Sequence, residues 1–162
     1  LQTATLFETP VHAFSPEDKL FYFCLHGTHH RWGHLRLICD VAELLRRHPA
    51  LDWERLMNQA RQLHSERLFL LALRLAHELL DAPLPAPVRR RAYGNSAVEV
   101  LAERRRGHLF YGPQGISQAW DVCSYDLQIR DRLRDGLGLC ISRAYITSLG
   151  LLQYLREWRE DG

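Results

Sequence analysis

Four histidines, His26, His29, His30 and His34, fall within nine residues of the stretch CLHGTHHRWGH. Neutral imidazole ligates Zn²⁺ and also carries protons, so such a cluster raises two chemistries at once. On one continuous helix His26, His30 and His34 stand at i, i+4 and i+8 and share a face. A helical zinc pair of the catalytic kind also brings a carboxylate between its ligands, as in His-Glu-x-x-His. Here the intervening residues are Gly-Thr-His and Arg-Trp-Gly. Gly27 and Gly33 weaken the helix and predict a break that scatters the face. The expectation is no metal site and no catalytic residue in this stretch. His26, His30, Trp32 and Asp40 are instead read as a structural or substrate-side polar cluster, with His29 and His34 in solvent. Asp40 lies inside the apolar run LRLICDVAELL. A buried carboxylate there needs a donor, and His26, His30, Arg31 and the Trp32 indole are the candidates.

The second group of chemistry-bearing residues is basic. Of 21 Lys and Arg residues only Lys19 is lysine. The triplets Arg89–Arg91 and Arg104–Arg106 make a candidate phosphate contact, with Tyr93, His108 and Tyr111 nearby. Each triplet is predicted to end a short helix, where a basic last turn also offsets the macrodipole. Asp121, Asp126, Asp131 and Asp135 alternate with Arg130, Arg132 and Arg134, which reads as a solvated, ion-paired helix face. No Gly-x-Ser-x-Gly, phosphate-loop or Gly-x-Gly-x-x-Gly pattern occurs.

These residues need helices to hold them. Ser15 caps a helix that opens on Pro16 and carries Asp18 at its third position, predicted over 16–30. WGHLRLICDVAELLRR carries two adjacent apolar stripes and is predicted to be the central helix. Asp52 caps a third helix, with Leu51 and Leu56 as its staple, and Ser65 caps a fourth. DAPLPAP breaks the helical run. Two short helices split near Gly94-Asn95 follow, then a loop over GHLFYGPQGIS. An amphipathic helix stopped by Gly136 and a last helix over 140–160 close the chain. TATLFETPVHAF reads as a short extended pair with Pro10 as a breaker. The fold class is mainly α: a helical bundle of five to seven helices with a short N-terminal β segment.

Length and composition agree with that reading. At 162 residues and 46% hydrophobic content the chain can bury a core without staples. Cys24, Cys39, Cys123 and Cys140 form no Cys-x-x-Cys pair and read as structural thiols, which favours a reducing, cytoplasmic location. No apolar run approaches the roughly 20 residues of a membrane span, so no membrane partner is expected. The chain opens on Leu1 rather than Met, and is read as part of something longer.

Ser15-Pro16-Glu17-Asp18, His26-Gly27, His30, Trp32, Leu35, Asp40, Asp52-Trp53, Ala60 and Leu84-Pro85 fall in an order and spacing that resembles a family. It is the broad bacterial family of uncharacterised nucleotidyltransferases, relatives of the DNA polymerase β superfamily. The resemblance covers roughly 11–90 and is to the C-terminal helical half. It implies a catalytic half of the same protein placed before this region, with a Gly-Ser turn and paired aspartates holding Mg²⁺ and a nucleoside triphosphate. This chain has neither a Gly-Ser dipeptide nor an Asp-x-Asp. No catalytic residue carries over, and no cofactor is expected within the chain itself.

The division that follows is 1–14 as an extended tail of a missing N-terminal domain, 15–82 as helical core and 83–162 as a C-terminal helical region. The implied function is the accessory, substrate-side region of a nucleotidyltransferase-like protein. Its partners would be the N-terminal catalytic domain and an unknown acceptor, nucleic acid among the candidates. The alternative is a stand-alone helical interaction or regulatory domain without catalysis. A small metal-dependent enzyme built on the histidines is the third reading.

Overall fold

The computed structural model of the protein describes residues 2–111 and 118–131. Among them are a two-stranded hairpin and seven helices. Strands β1 (Gln2–Leu6) and β2 (Thr9–Ala13) pair antiparallel, with Thr5 opposite Pro10. Pro10 therefore lies inside a strand rather than breaking one; in a two-stranded sheet both strands are edges, where proline is tolerated. Phe7 and Glu8 form the turn with φ of 46° and 66°, the positive values that a tight hairpin requires.

Helix α1 (Pro16–His29) starts as its sequence predicts: the Ser15 hydroxyl accepts from the Asp18 N–H at 3.1 Å. It runs through Gly27 without the predicted break. Helix α2 (Leu35–Arg47) follows, then α3 (Trp53–Gln62), where the Asp52 carboxylate accepts from the Arg55 N–H at 2.9 Å. Helix α4 (Glu66–Leu80) follows Ser65, but that hydroxyl donates back to the Leu63 carbonyl at 3.0 Å instead of capping. Helices α1 and α3 close alike. A residue with positive φ, Arg31 or His64, lets the next N–H reach back five residues, from Trp32 to Gly27 and from Ser65 to Ala60.

The centre of the bundle is α4, not α2. Nine consecutive residues of α4, Leu68 to Ala76, are buried, and α4 touches α1, α2, α3, α5 and α6. Burial on every side marks a central helix. On α2 only one face is covered: Leu37, Ile38, Val41, Ala42, Leu44 and Leu45 are buried, while Leu35, Cys39 and Glu43 are exposed. Each leucine taken fully out of water contributes about 1.5–3 kcal/mol, so α4 alone carries much of the hydrophobic stabilisation. Cys24 is a core thiol whose pKa burial pushes up, so it stays a neutral apolar group. Cys39 is exposed, contrary to its structural reading.

Asp81, with φ of 51°, ends α4, and the proline run separates it from α5 (Ala86–Tyr93). Helix α6 (Ser96–Tyr111) does not stop at its arginines; it continues through Gly107 and takes in GHLFY, predicted as loop. Val98, Leu101 and Ala102 are buried along it, and it packs on α4 and α5. Those tertiary contacts override a weak local preference.

The chain divides into two compact units, Leu1–Gly115 and Ile116–Gly162. In the second, α7 (Gln118–Ile129) buries Tyr125, Asp126 and Ile129. Asp126 is thus not on a solvated face, although Asp131 is exposed. The stop at Gly136 and the helix over 140–160 lie outside the described residues. No helix among the described residues is long and apolar enough to cross a membrane.

Candidate functional site

Two polar constellations occur in the first unit. One surrounds the turn between α1 and α2. The Trp32 ring is fully buried against Gly27, where a Cβ would stand 2.3 Å from two ring carbons. Gly27 is there because the indole occupies the space of a side chain. Arg31 and Trp32 both have positive φ, 51° and 53°, which turns the indole inward. The Arg105 guanidinium on α6 donates to the Arg31 carbonyl at 3.5 Å and ties this turn to α6. The indole Nε1–H is buried with no acceptor among the described residues.

The predicted partnership with Asp40 does not form. Asp40 is partly exposed and makes no hydrogen bond or ion pair with a described residue. It sits at the edge of α2, so water solvates the carboxylate and no donor is required. His30, also read as a buried or interface group, is exposed, and His26 is half-buried. The histidines meet one another instead. Because α1 is continuous, the rings of His26 and His30 stand 4.6 Å apart edge to face, and those of His29 and His30 are 5.1 Å apart. Tyr22 stacks on His26 at 5.8 Å, and Phe14 on Tyr22 at 6.2 Å. Partial desolvation lowers the His30 pKa, and the potential positive charges of His26, His29, His34 and Arg31 lower it further.

The second constellation joins α4, α5 and α6. Arg74, buried on α4, donates to the Glu78 carboxylate at 2.7 Å, and both side chains are almost wholly covered. Its guanidinium lies 4.6 Å from the centre of the Tyr93 ring, a cation–π arrangement. Glu99 stands 3.9 Å from Arg74, and Arg106 is 3.3 Å from the second Glu78 oxygen. Arg74 Nη1 is buried without an acceptor among the described residues. The Tyr93 hydroxyl has its pKa raised, first by desolvation and then by the Glu78 charge, against the pull of Arg74, Arg106 and Arg89. His77 Nδ1 lies 2.9 Å from the Ala82 carbonyl, so that nitrogen carries the proton and Nε2 is left as acceptor. The His77 ring meets the Tyr93 ring edge to face at 5.9 Å.

Beside this network His77, Ala86, Arg89, Arg90 and Tyr93 line an open cleft of about 520 Å³. The two arginine triplets are therefore not one patch. Arg89 and Arg90 are exposed at the cleft, and Arg91 turns away to pair with Glu66. Arg106 serves the Glu78 network, and Arg105 is buried toward the α1–α2 turn. Arg104 is half-buried on α6. Arg104–Arg106 lie in mid-helix, so the reading of them as a solvated helix end does not hold. Arg74, Glu78 and Glu99 were not legible as site residues. The i, i+4 spacing of Arg74 and Glu78 was the one available signal, and it usually marks a surface pair.

A helical domain with a basic, tyrosine-floored cleft next to a buried arginine network is the class that the fold and these groups define. A family model described as uncharacterised nucleotidyltransferase matches residues 1–81, half of the chain, and the chain belongs to that family. The matched residues are this chain's N-terminal half, from the hairpin to the end of α4, and include Gly27, Trp32, Arg74 and Glu78. No curated protein and no solved structure matches the chain. Among the described residues no group of three or more His, Cys, Asp or Glu side chains stands so as to hold a metal ion.

Proposed function

We propose that this chain is the helical, substrate-side region of a nucleotidyltransferase-like protein, the C-terminal half in family terms. The metal-binding carboxylates would come from a catalytic domain that precedes it. Its task is to hold the anionic part of a substrate, not to break a bond. The observation that carries the reading is the cleft. Arg89 and Arg90 bring exposed guanidinium groups to a cleft that His77 and Tyr93 also line. Arginine forks match phosphate oxygens in pairs, and charge-assisted bonds of this kind are the strong ones. The Glu78 and Glu99 carboxylates hold Arg74 in place, and its guanidinium lies over the Tyr93 ring that lines the cleft. Cys24 and Cys39 are unbridged, which suits a cytoplasmic location.

Calorimetric titration of the full chain with ATP, GTP, CTP, UTP and inorganic triphosphate tests this. Binding is expected for at least one of them. Replacing Arg89 and Arg90 together by Ala weakens it by about tenfold or more, the loss of at least one charge-assisted bond. Equal binding by the parent and the double variant, or no binding at all, contradicts the reading.

A further inference from the structure

The exposed face of α1 has no role in the phosphate cleft. Tyr22, His26 and His30 stand at i, i+4 and i+8, and Phe14 precedes them from the end of the hairpin. Phe14 and Tyr22 are each about half exposed, at 51% and 49%. Their planes are 14° apart, and those of Tyr22 and His26 are 11° apart. The result is a ladder of near-parallel rings in solvent, closed at its far end by His30 and His29 edge to face. Large exposed rings in series are unusual on a surface that meets only water.

The charge around the ladder narrows the occupant. From Lys19 to Cys39 the chain has no Asp or Glu, while Lys19, Arg31, Arg36 and four histidines lie within it. Lys19, His29, His30, His34 and Arg36 are exposed. An apolar helix groove for a protein partner would offer aliphatic side chains. From Tyr22 onward this face offers mainly flat rings rimmed by cations, with Leu25 exposed beside them; the nearest acid, Asp18, is one turn before Tyr22 and hydrogen-bonded to Ser15. Unpaired bases stack on flat rings, and their phosphates need cations, which is how strand-binding surfaces work.

We infer that the α1 face, Phe14, Tyr22, His26, His29 and His30, binds single-stranded nucleic acid by stacking unpaired bases, with Lys19, Arg31 and Arg36 on the phosphates. The inference rests on the substrate-side reading above and makes the acceptor a polynucleotide. Exposed bases, not duplex, are its target, because paired bases present no free ring face.

The test is fluorescence anisotropy of the full chain with labelled short oligo(U), oligo(dT), an abasic strand of equal charge and a duplex. Binding of a single strand at low salt, with the abasic strand and the duplex about tenfold weaker or more, is the expected result. Preference for oligo(U) over oligo(dT) assigns the strand as RNA, and the reverse as DNA. Tyr22→Leu weakens binding about tenfold, Tyr22→Phe retains it, and affinity falls as salt rises. Tyr22 is half exposed, so both variants fold; coincident melting curves establish that. Absence of single-strand binding at low salt, equal affinity for the abasic strand, duplex binding as tight as single-strand binding, or an unaffected Tyr22→Leu overturns the inference. Triphosphate binding lost in the Arg89→Ala, Arg90→Ala variant, with no strand binding by the parent, overturns only this inference and leaves the cleft reading standing.

Discussion

The α1 face and the Arg74 network use cationic side chains in opposite ways. On α1 the exposed His29 and His30 and the half-buried His26 meet one another and Tyr22, and none is paired with a carboxylate among the described residues. On α4 the Arg74 charge is drawn inside, matched by Glu78 at 2.7 Å and covered by the Tyr93 ring. A buried ion pair is costly to break, because removal of one partner strands the other in a low-dielectric interior. An exposed ring or cation is cheap to remove but is available to a ligand. On the proposals above, the paired Arg74 serves position, while the exposed cations on α1 and at the α5 cleft serve binding.

The sharpest way to break this contrast is at the joint between the two, where Gly27 admits the Trp32 ring. Gly27→Ala should destabilise by about 3 kcal/mol or more, since an added methyl overlaps a fully buried indole. Urea titration measures it. Trp32→Leu should recover part of the loss, and a double-mutant cycle reads the coupling. Next in size, Arg74→Met should cost about 3–5 kcal/mol by leaving Glu78 buried and uncompensated, while Arg74→Met with Glu78→Leu should return near the parent. If the single change is as mild as the double, the pair is not held as described.

A smaller effect distinguishes the solvent-facing histidines. The His30 pKa in the fold lies below its ordinary value of 6.5. The unfolded chain then binds the proton more readily than the fold, so stability falls as pH drops through and below 6.5. Thermal melts between neutral and mildly acid pH should show this decline, and His30→Gln should flatten it. The smallest effects belong to surface sites. Glu43 and Arg47 meet at 2.7 Å but are largely exposed, so Arg47→Ala should change stability by about 0.5 kcal/mol or less. Gly107, with open space at its Cβ position, should tolerate Ala and gain up to about 1 kcal/mol in helix propensity.

Features decided by neighbours in the chain were legible. The Ser15 and Asp52 caps each form with the backbone N–H three positions on, as their types predict. The helix break at the proline run follows from proline lacking its N–H. Features decided by distant packing were not. Gly27 looks like a helix weakener until the indole from five residues on is seen filling its missing side chain. Asp40 sits among apolar neighbours in sequence but at the edge of a one-sided helix. The network of Arg74, Glu78, Tyr93, Glu99 and Arg106 draws on three helices, and only the first pair is local. Of the phosphate candidates, Arg89 and Arg90 reach the cleft because α5 turns its exposed face there; Arg91, one residue on, faces Glu66.

The central claim is that the α5 cleft takes the phosphates of a nucleotide. An NMR titration of the isotope-labelled full chain with inorganic triphosphate tests it residue by residue. The account predicts backbone amide shifts concentrated at His77 and over 86–93, saturating together, and absent from the polar face of α3 at Asn58 and Gln62. Shifts confined to α3, or none at His77, Arg89, Arg90 and Tyr93 while the chain remains folded, would contradict it.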